Sequence, residues 1–399
     1  MSEKRLTHVA GTFVVQASGA FLNGAGLGTG EDRNVTIPKQ FRGLSGPVPY
    51  VSAQAWKRWL RNTLIEETGW PSSDIVAIGW NPKGNVNKIS SELNPVDLAE
   101  DDIFGYMRTE KELGKPREEE ADELDEIVES EETAKKPGAK TKAVMRPSPF
   151  LASLLVSTRA TAWRGRDEGF VHITRFDPEA LEEAEKERKK KGQGEIDRPC
   201  TPLPYTTEFY NTNLQSVFCL NYSRLGVFRN LGDRIELDEA LVPKFMREEK
   251  IRVVQDEGKI GQVYEMTNAE EARKERASAL LNALAVMRGG AKQAQFGTDT
   301  SPKVLIAAGL SCGNPIFNNL FLDRESGIKL RTDTFLEVIR DYADRFCTPA
   351  FVGVRSGYLE NEAEVKGLDS QFVKNNGASV EIKVVTPLAA ARQLSSLLP

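Results

Sequence analysis

The sequence predicts an α+β fold, in which helices pack on a β-sheet, and three features of its 399 residues support this prediction. Segments rich in β-branched and aromatic residues, which are typical of strands, are interleaved with helical segments. The interleaving has no regular β-α-β period, which disfavours a doubly wound parallel sheet. Hydrophobic residues make up 40% of the chain, enough for a substantial core.

The first predicted elements are a strand, a glycine-rich loop and a helix. Residues 6–23 have strand composition, and the loop NGAGLGTGEDRN at 23–34 follows them. This loop lacks the GK[ST] ending of a phosphate-binding loop, so it does not predict a nucleotide site. Ser52 is the predicted N-cap of a helix that runs to about Glu67, before Gly69 ends it.

An acidic segment follows this helix. Residues 110–132 carry twelve acidic and three basic residues, so without them the net charge of −5 becomes +4. The segment has little to bury, and we predict that 110–142 is a disordered surface insertion. The rest of the chain is mildly basic, so the overall charge misleads about the charge of its partners.

Two predicted strands surround a charged excursion in the middle of the chain. Residues 144–176 and 208–228 have strand composition, and the Lys-rich residues 177–204 lie between them. We therefore expect a hairpin-like protrusion at this place.

The last third of the chain predicts alternating helices and strands. In residues 267–290, Thr267 and Glu270 have the spacing of a capping box, and Gly289 and Gly290 end the apolar pattern of a helix. The later predictions are a strand at 303–311, a helix at 331–346, a strand at 349–357, and a strand and helix at 378–398.

Composition excludes several classes of protein. No uncharged apolar stretch reaches the length of a membrane span and no secretory leader is evident, so we expect a soluble, cytoplasmic protein without membrane contact. The four cysteines lie far apart and the only histidines are His8 and His172, so we predict no zinc site and no other metal or cofactor.

Four side chains of the first helix repeat at helical spacing. Gln54, Lys57, Arg58 and Arg61 occupy positions i, i+3, i+4 and i+7, which places them on one face, while Trp56 can pack against the sheet. Three cations on one face suit the successive phosphates of a nucleic acid. A solvated basic face explains the spacing equally well.

A second basic, glycine-rich segment is MRGGAKQAQF. Arg288, Gly289, Gly290, Lys292 and Gln293 follow the predicted helix, and glycines let a backbone approach a ligand closely. The flanking cations suit a phosphate chain. A double-glycine helix end with incidental basic neighbours is the alternative interpretation.

A third segment mixes cations with aromatic residues, as surfaces that bind single-stranded nucleic acid do. It contains Arg159, Trp163, Arg164, Arg166, Phe170, Arg175 and Phe176. A half-buried strand with a charged outer face is the alternative.

The best candidate for a catalytic residue is Asp32, in the glycine-rich loop. Its carboxylate could approach a scissile phosphate, and Glu31 beside it could assist a metal ion or a proton transfer. A loop carboxylate is more often a turn former.

Several segments, taken in order, resemble one family. VSAQAWKRWLR is similar to a helix of CRISPR-associated RAMP proteins. DDIFGYM, RPSPFLASLLVS, EFYNTNLQSVFCLN, LLNALAVMRGGAKQA and SPKVLI resemble the DevR branch, which supplies the repeated backbone subunit (Cas family seven) of type I-B CRISPR effector complexes, or Cascade. The similar segments span nearly the whole chain.

This resemblance implies a modified RNA-recognition-motif (ferredoxin-like) palm over 1–399, with a finger-like insertion at 70–145 and a thumb at 158–210. Family members polymerise head to tail along a CRISPR RNA, together with other Cascade subunits, and present its bases to a target DNA strand. RNA binding then falls to Ser52, to the helix face and to the loop from Arg288 to Gln293. The thumb residues are Arg164, Arg166, Phe170, His172, Arg175, Phe176 and Leu203, of which Phe170, Phe176 and Leu203 are candidate wedges.

Three functions therefore compete. The first is a non-catalytic scaffold that binds guide RNA. The second is a metal-dependent ribonuclease, since related type III backbone subunits cleave RNA with an aspartate in the loop after the first strand, where Asp32 lies. The third is a metabolic or regulatory protein with a superficial motif match.

Overall fold

The computed structural model describes residues 4–29, 33–80, 84, 86–109, 143–159, 163–171, 177–193, 203–324 and 326–399. Several predictions lie outside these residues, namely those for Glu31 and Asp32, for the acidic insertion at 110–142, and for His172, Arg175 and Phe176.

Strands and helices alternate irregularly along the chain, and the α+β class is confirmed. In chain order the described strands are β1 (His8–Ala20), β2 (Gly24–Leu27), β3 (Val35–Pro38), β4 (Gln40–Gly43), β5 (Gly46–Val51), β6 (Val76–Trp80), β7 (Val86–Ser90), β8 (Tyr106–Thr109), β9 (Ala143–Arg146), β10 (Phe150–Ala152), β11 (Leu155–Ser157), β12 (Trp163–Val171), β13 (Leu203–Asn221), β14 (Val227–Leu231), β15 (Arg234–Ile235), β16 (Ile251–Asp256), β17 (Gly261–Met266), β18 (Val304–Leu310), β19 (Phe321–Arg324), β20 (Gly327–Leu330), β21 (Ala350–Val354), β22 (Phe372–Asn375) and β23 (Ala378–Val385). The described helices are α1 (Ala53–Thr68), α2 (Ala99–Phe104), α3 (Pro178–Lys190), α4 (Val242–Arg247), α5 (Ala269–Ala285), α6 (Gln293–Phe296), α7 (Thr332–Asp341), α8 (Glu362–Lys366) and α9 (Pro387–Ser396).

A large mixed sheet contains most of the strands. Its main path runs β22-β23-β21-β18-β1-β13-β11-β5-β4. β1 pairs antiparallel with β13 and with β18, whereas β21 and β23 are parallel. Along the chain, β1, α1, β11, β13, α5 and β18 form a β-α-β-β-α-β series whose strands lie in the order β18-β1-β13-β11. The likeness to an RNA-recognition motif stays a prediction.

Helices cover both faces of this sheet, because neighbouring residues of its central strands are apolar and point to opposite sides. α1, α5 and α9 pack on one face, where Phe13 shares a core with Trp56 and Leu394. On the other face Val14 belongs to a second core, to which α7 contributes Phe335. Burial on both sides explains why β1 is mostly apolar and does not alternate regularly with polar residues.

A second sheet, in the order β16-β17-β14-β15-β9-β8, has a separate core that includes Phe245 of α4. Charged side chains connect this sheet to α2 and α5. We call the set the buried ionic network, and it comprises Asp102, Arg146, Arg224, Glu236 and Arg276. Asp102 receives hydrogen bonds from both Arg146 and Arg276, so one carboxylate on α2 joins β9 to α5.

The helix predicted at 267–290 is shorter than expected and has no capping box. α5 ends at Ala285, and its N-cap Asn268 makes no side-chain capping bond. The Thr267 hydroxyl instead donates to the carbonyl of Glu249, 2.8 Å away, because the end of β17 returns beside the start of β16. The capping-box prediction is therefore wrong.

The hairpin of the predicted protrusion is present, whereas its projection from the body stays a prediction. β12 and β13 pair antiparallel from Trp163↔Asn211 to Val171↔Leu203. Between them lies α3, which has no buried residue and is capped by the Asp177 carboxylate. The assignment of this hairpin as a thumb, like the finger assignment for 70–145, stays a prediction. Within the described ranges, no helix is both long and apolar enough to cross a membrane.

Candidate nucleic-acid interface

Helix α1 begins and ends as the sequence predicts. Ser52 is its N-cap, although the Ser52 hydroxyl makes no capping bond, and Gly69 ends it with a φ of 67°. Trp56 and Trp59 are buried, and the Trp56 indole donates to the carbonyl of Ser153 at 2.8 Å. The tryptophans thus fix the orientation of α1 on the sheet and decide which of its side chains reach solvent.

Two of the four residues on the predicted cationic face are not open to solvent. The Lys57 ammonium donates to the Ser148 hydroxyl at 2.9 Å and to the Phe150 carbonyl at 3.0 Å. Arg61, whose side chain is 15% exposed, pairs with Glu100 and Asp101 at the start of α2. The prediction of an open four-residue face is therefore wrong for Lys57 and Arg61, because α2 and β10 cover that side of the helix.

Burial also changes the chemistry of Lys57. Its ammonium lies 5.9 Å from the ring centres of both Phe104 and Phe150. Because this desolvation disfavours the charged amine, it lowers the pKa of Lys57 to about 8.

Gln54 and Arg58 remain on the exposed side of α1. Arg58 lines a pocket of about 390 Å³ together with Asn62 and with the acids Glu66, Asp74 and Glu100. No carboxylate in the described part of the chain forms a salt bridge with Arg58, so its guanidinium is available to an anionic ligand. Of the predicted cationic face, these two residues remain candidates for direct contact.

The loop from Arg288 to Gln293 runs along α1. The Arg288 amide donates to the Thr63 hydroxyl at 3.1 Å. Its guanidinium is 2.7 Å from carboxylate oxygens of both Glu66 and Glu67. Two exposed acids therefore compensate the charge of Arg288, which makes it a weak candidate for a phosphate contact.

Both glycines of this loop are required by close packing. Gly289 has a φ of +151°, and a Cβ there would lie 2.4 Å from Trp59. Gly290 has a φ of +117°, and its Cβ would lie 2.7 Å from Leu22. They do not end α5, as the alternative interpretation suggested, but they bring the loop backbone against α1 and against Leu22, just after β1.

The backbone of this loop also presents polar groups. Within the described part of the chain, the amides of Gly289, Gly290 and Lys292 have no hydrogen-bond acceptor. Lys292 donates to the Thr207 hydroxyl at 2.5 Å and lies 5.2 Å from the ring centre of Phe21. Gln293 bonds back to the carbonyl of Gly289 and so holds the turn in shape.

Residues just after β1 bring the helix and the loop together. The Ala291 amide donates to the Leu22 carbonyl at 2.9 Å, and the Ser52 amide donates to the Asn23 side chain at 3.1 Å. The Lys39 amide donates to the Asn23 carbonyl at 2.7 Å. We call this region the helix-loop surface, and it comprises Asn23, Lys39, Ser52, Gln54, Arg58, Gly289, Gly290 and Lys292.

Sequence reasoning identified most of this surface but missed Asn23 and Lys39. Both lie in a polar stretch around the glycine-rich loop, where neither periodicity nor a motif distinguishes a residue. Asn23 could have been suspected only from its position directly after the strand, where side chains of neighbouring elements converge.

Some of the predicted thumb residues lie on the β12–β13 hairpin, and the others lie outside the described residues. Arg164 donates to Glu208 and Gln40, both at 3.2 Å, and Phe170 is 63% exposed. Arg164, Arg166 and Phe170 occupy alternate positions of β12 and so share one face of the hairpin. Leu203 pairs with Val171 at the hairpin end, whereas His172, Arg175 and Phe176 lie outside the described residues.

The described residues contain no group of three or more His, Cys, Asp or Glu side chains placed to hold a metal ion. Asp32, the candidate catalytic residue, lies outside them. The ribonuclease alternative stays a prediction from the sequence.

Comparisons with known proteins give one kind of match. Neither a protein-family model nor a curated protein matches the chain. Among solved structures, a chain of a "CRISPR RNA-guided surveillance complex" aligns with a TM-score of 0.45 and 10% identity over 98% of this chain and 99% of that one. A chain of a "CRISPR RNA-guided surveillance complex, pre-nicking" aligns with a TM-score of 0.48 and 11% identity over 98% of this chain and 100% of that one.

Proposed function

We propose that this protein is a non-catalytic scaffold subunit that binds the backbone of a CRISPR RNA. In this proposal it repeats head to tail along the RNA, assembles with other Cascade subunits and presents the bases to a target DNA strand. The RNA-binding part of this proposal rests on one observation. Helix α1 and the 288–293 loop meet at Leu22 and Asn23. The motif resemblance supplies the identity of the RNA.

The chemistry of the helix-loop surface suits phosphates rather than bases. It combines unpaired backbone amides at Gly289 and Gly290 with the cations of Lys39, Arg58 and Lys292. Contacts of these kinds position a nucleic-acid strand without reading its sequence. A subunit whose guide reads the target by base pairing needs this kind of contact.

Replacing both Arg58 and Lys292 by alanine should weaken RNA binding and reduce its salt dependence. Each cation that neutralises a phosphate of a single strand contributes about 0.7 to the slope of log affinity against log salt, so the slope of the double variant should fall by about 1.4. Fluorescence anisotropy with a labelled guide RNA at several salt concentrations measures the slope.

The matched control is Lys366→Ala with Lys383→Ala, which also removes two cations. These lysines lie on α8 and β23, where they pair with Glu362 and Glu381. The control should keep the wild-type slope. Equal slopes in wild type and in the Arg58 and Lys292 variant would contradict RNA binding at the helix-loop surface.

A cleavage assay tests the ribonuclease alternative. The assembled complex is incubated with complementary RNA and a divalent metal ion. Intact RNA is the expected result, whereas regularly spaced cuts that disappear in Asp32→Ala would overturn the scaffold function.

A further inference from the structure

A second polar cavity lies where β18 begins and β21 ends. It has a volume of about 340 Å³ and is lined by Gln16, Lys303, Arg355 and Tyr358, among others. We call it the distal pocket. We infer that the distal pocket holds a phosphate group of the same RNA strand that crosses the helix-loop surface, an inference that rests on the proposed function.

Strand ends place the two cations side by side. β18 and β21 pair up to Val304↔Val354, and the Arg355 amide donates to the Lys303 carbonyl at 2.8 Å, which extends the ladder by one residue pair. Lys303 is paired with Asp299, whose carboxylate also lines the pocket. Arg355 is exposed and has no carboxylate partner among the described residues. The pocket therefore has two cations against one acid.

Buried hydrogen bonds hold the wall of the pocket in place. The Tyr358 hydroxyl donates to the Asn213 side chain at 2.8 Å, and the Asn213 amide donates to Asp323 at 2.7 Å. Asp323 is itself buried and pairs with Arg159 at 2.8 Å. Asn213 lies opposite Gln16 in the β1–β13 ladder, so the tyrosine is fixed beside the glutamine. The cavity is thus a built feature of the fold.

Short stretches of chain connect the pocket to the helix-loop surface, although Gln16 lies on the Val14 face of β1 and α1 packs on the opposite face. Asp299 precedes Thr300, whose buried hydroxyl donates to the Met287 carbonyl at 3.2 Å, directly before the 288–293 loop. Gln16 of the pocket precedes Phe21, the ring beneath Lys292, by five residues, so their Cα atoms lie at most about 18 Å apart, and a bulge of the β1 ladder between Ala17 and Ala20 shortens this span. An extended RNA strand of a few nucleotides bridges such a distance.

The charges on the two sides of the loop favour an RNA strand that runs towards the distal pocket. On the other side of the loop, α1 ends with Glu66 and Glu67, which already compensate Arg288 and would repel a phosphate. The distal pocket instead offers Arg355 and Lys303, with the Gln16 amide as a neutral donor. The direction towards β18 is therefore electrostatically favoured over the direction towards the end of α1.

Arg355→Ala tests this inference, with Arg345→Ala as its matched control. Arg345 is an exposed arginine that pairs with Asp344 outside the pocket, so both variants remove one charge from the surface. Binding of a twelve-nucleotide single-stranded RNA is measured against salt by fluorescence anisotropy. Arg355→Ala should lower the slope by about 0.7, and Arg345→Ala should leave it unchanged.

Combining Arg355→Ala with the Arg58 and Lys292 double variant gives a second test. Because the two sites share no residue, the loss from Arg355→Ala should add to that of the Arg58 and Lys292 variant. If wild type binds RNA and Arg355→Ala behaves like Arg345→Ala, the distal pocket is not a phosphate site, although the proposed function stands. If wild type does not bind RNA, the proposed function fails and the inference fails with it.

Discussion

Arg146→Ala is expected to lower the free energy of unfolding by about 3 to 5 kcal/mol, the typical loss when one member of a buried ion pair is removed. The Arg146 side chain is fully buried and pairs with Asp102 and Glu236. It also donates to the carbonyls of Val227 at 2.9 Å and of Arg224 at 3.0 Å. Alanine would leave these acceptors unsatisfied and a cavity beside Phe228, over which the guanidinium lies at 4.7 Å.

Urea unfolding, followed by circular dichroism and by tryptophan fluorescence, measures this loss. Arg252→Ala is the matched control, since Arg252 lies in the same second sheet and pairs with Glu265, but its side chain is 61% exposed. An exposed pair contributes at most about 1 kcal/mol. Similar midpoints for the two arginine variants would show that the buried ionic network does not stabilise the fold.

The sequence predicted those elements whose signals are local. The bounds of α1 follow from Ser52 and Gly69, and the predicted strand at 303–311 and helix at 331–346 correspond to β18 and α7. In each case a cap, a glycine or a periodic apolar pattern within a few residues determines the structure. The strand composition of residues 144–176 and 208–228 likewise anticipates β12 and β13, although only the structure gives their pairing.

Contacts between distant segments could not be predicted in this way. Lys57 and Arg61 lie on one helix face, as their spacing requires, but the residues that cover this face are 39 or more positions away along the chain. The buried ionic network likewise joins Asp102 to Arg276, 174 residues apart. Helical spacing defines a face, and only tertiary packing decides whether that face meets solvent, acids or another strand.

The candidate site illustrates the same division. Both of its main segments, the start of α1 and the 288–293 loop, were identified from cations and glycines. No local pattern indicates that Glu66 and Glu67 compensate Arg288, or that Asn23 connects the two segments, because these partners are distant along the chain. The residues predicted to bind RNA therefore divide into those of the helix-loop surface, namely Ser52, Gln54, Arg58, Gly289, Gly290 and Lys292, and others that mainly support the fold.

Lys57→Met is expected to change how stability depends on pH. Because burial lowers the pKa of Lys57 to about 8 from the ordinary value of 10.5, the unfolded chain binds more protons than the folded chain between these two pH values. Stability of the wild type should therefore rise with pH through this window. From pH 7 to 9.5 this contribution amounts to about 2 kcal/mol at one group, and the methionine variant lacks it.

Urea unfolding of both proteins at pH 7 and 9.5 measures the effect, since the difference between wild type and variant cancels groups that titrate in both. Methionine keeps the apolar contacts with Phe104 and Phe150, and the Ser148 hydroxyl still donates to the Phe150 carbonyl at 2.8 Å. A difference that stays constant with pH would mean that Lys57 titrates normally and is open to solvent. In that case Lys57 would return to the set of phosphate-binding residues, and Lys57→Met would then weaken RNA binding as Arg58→Ala does.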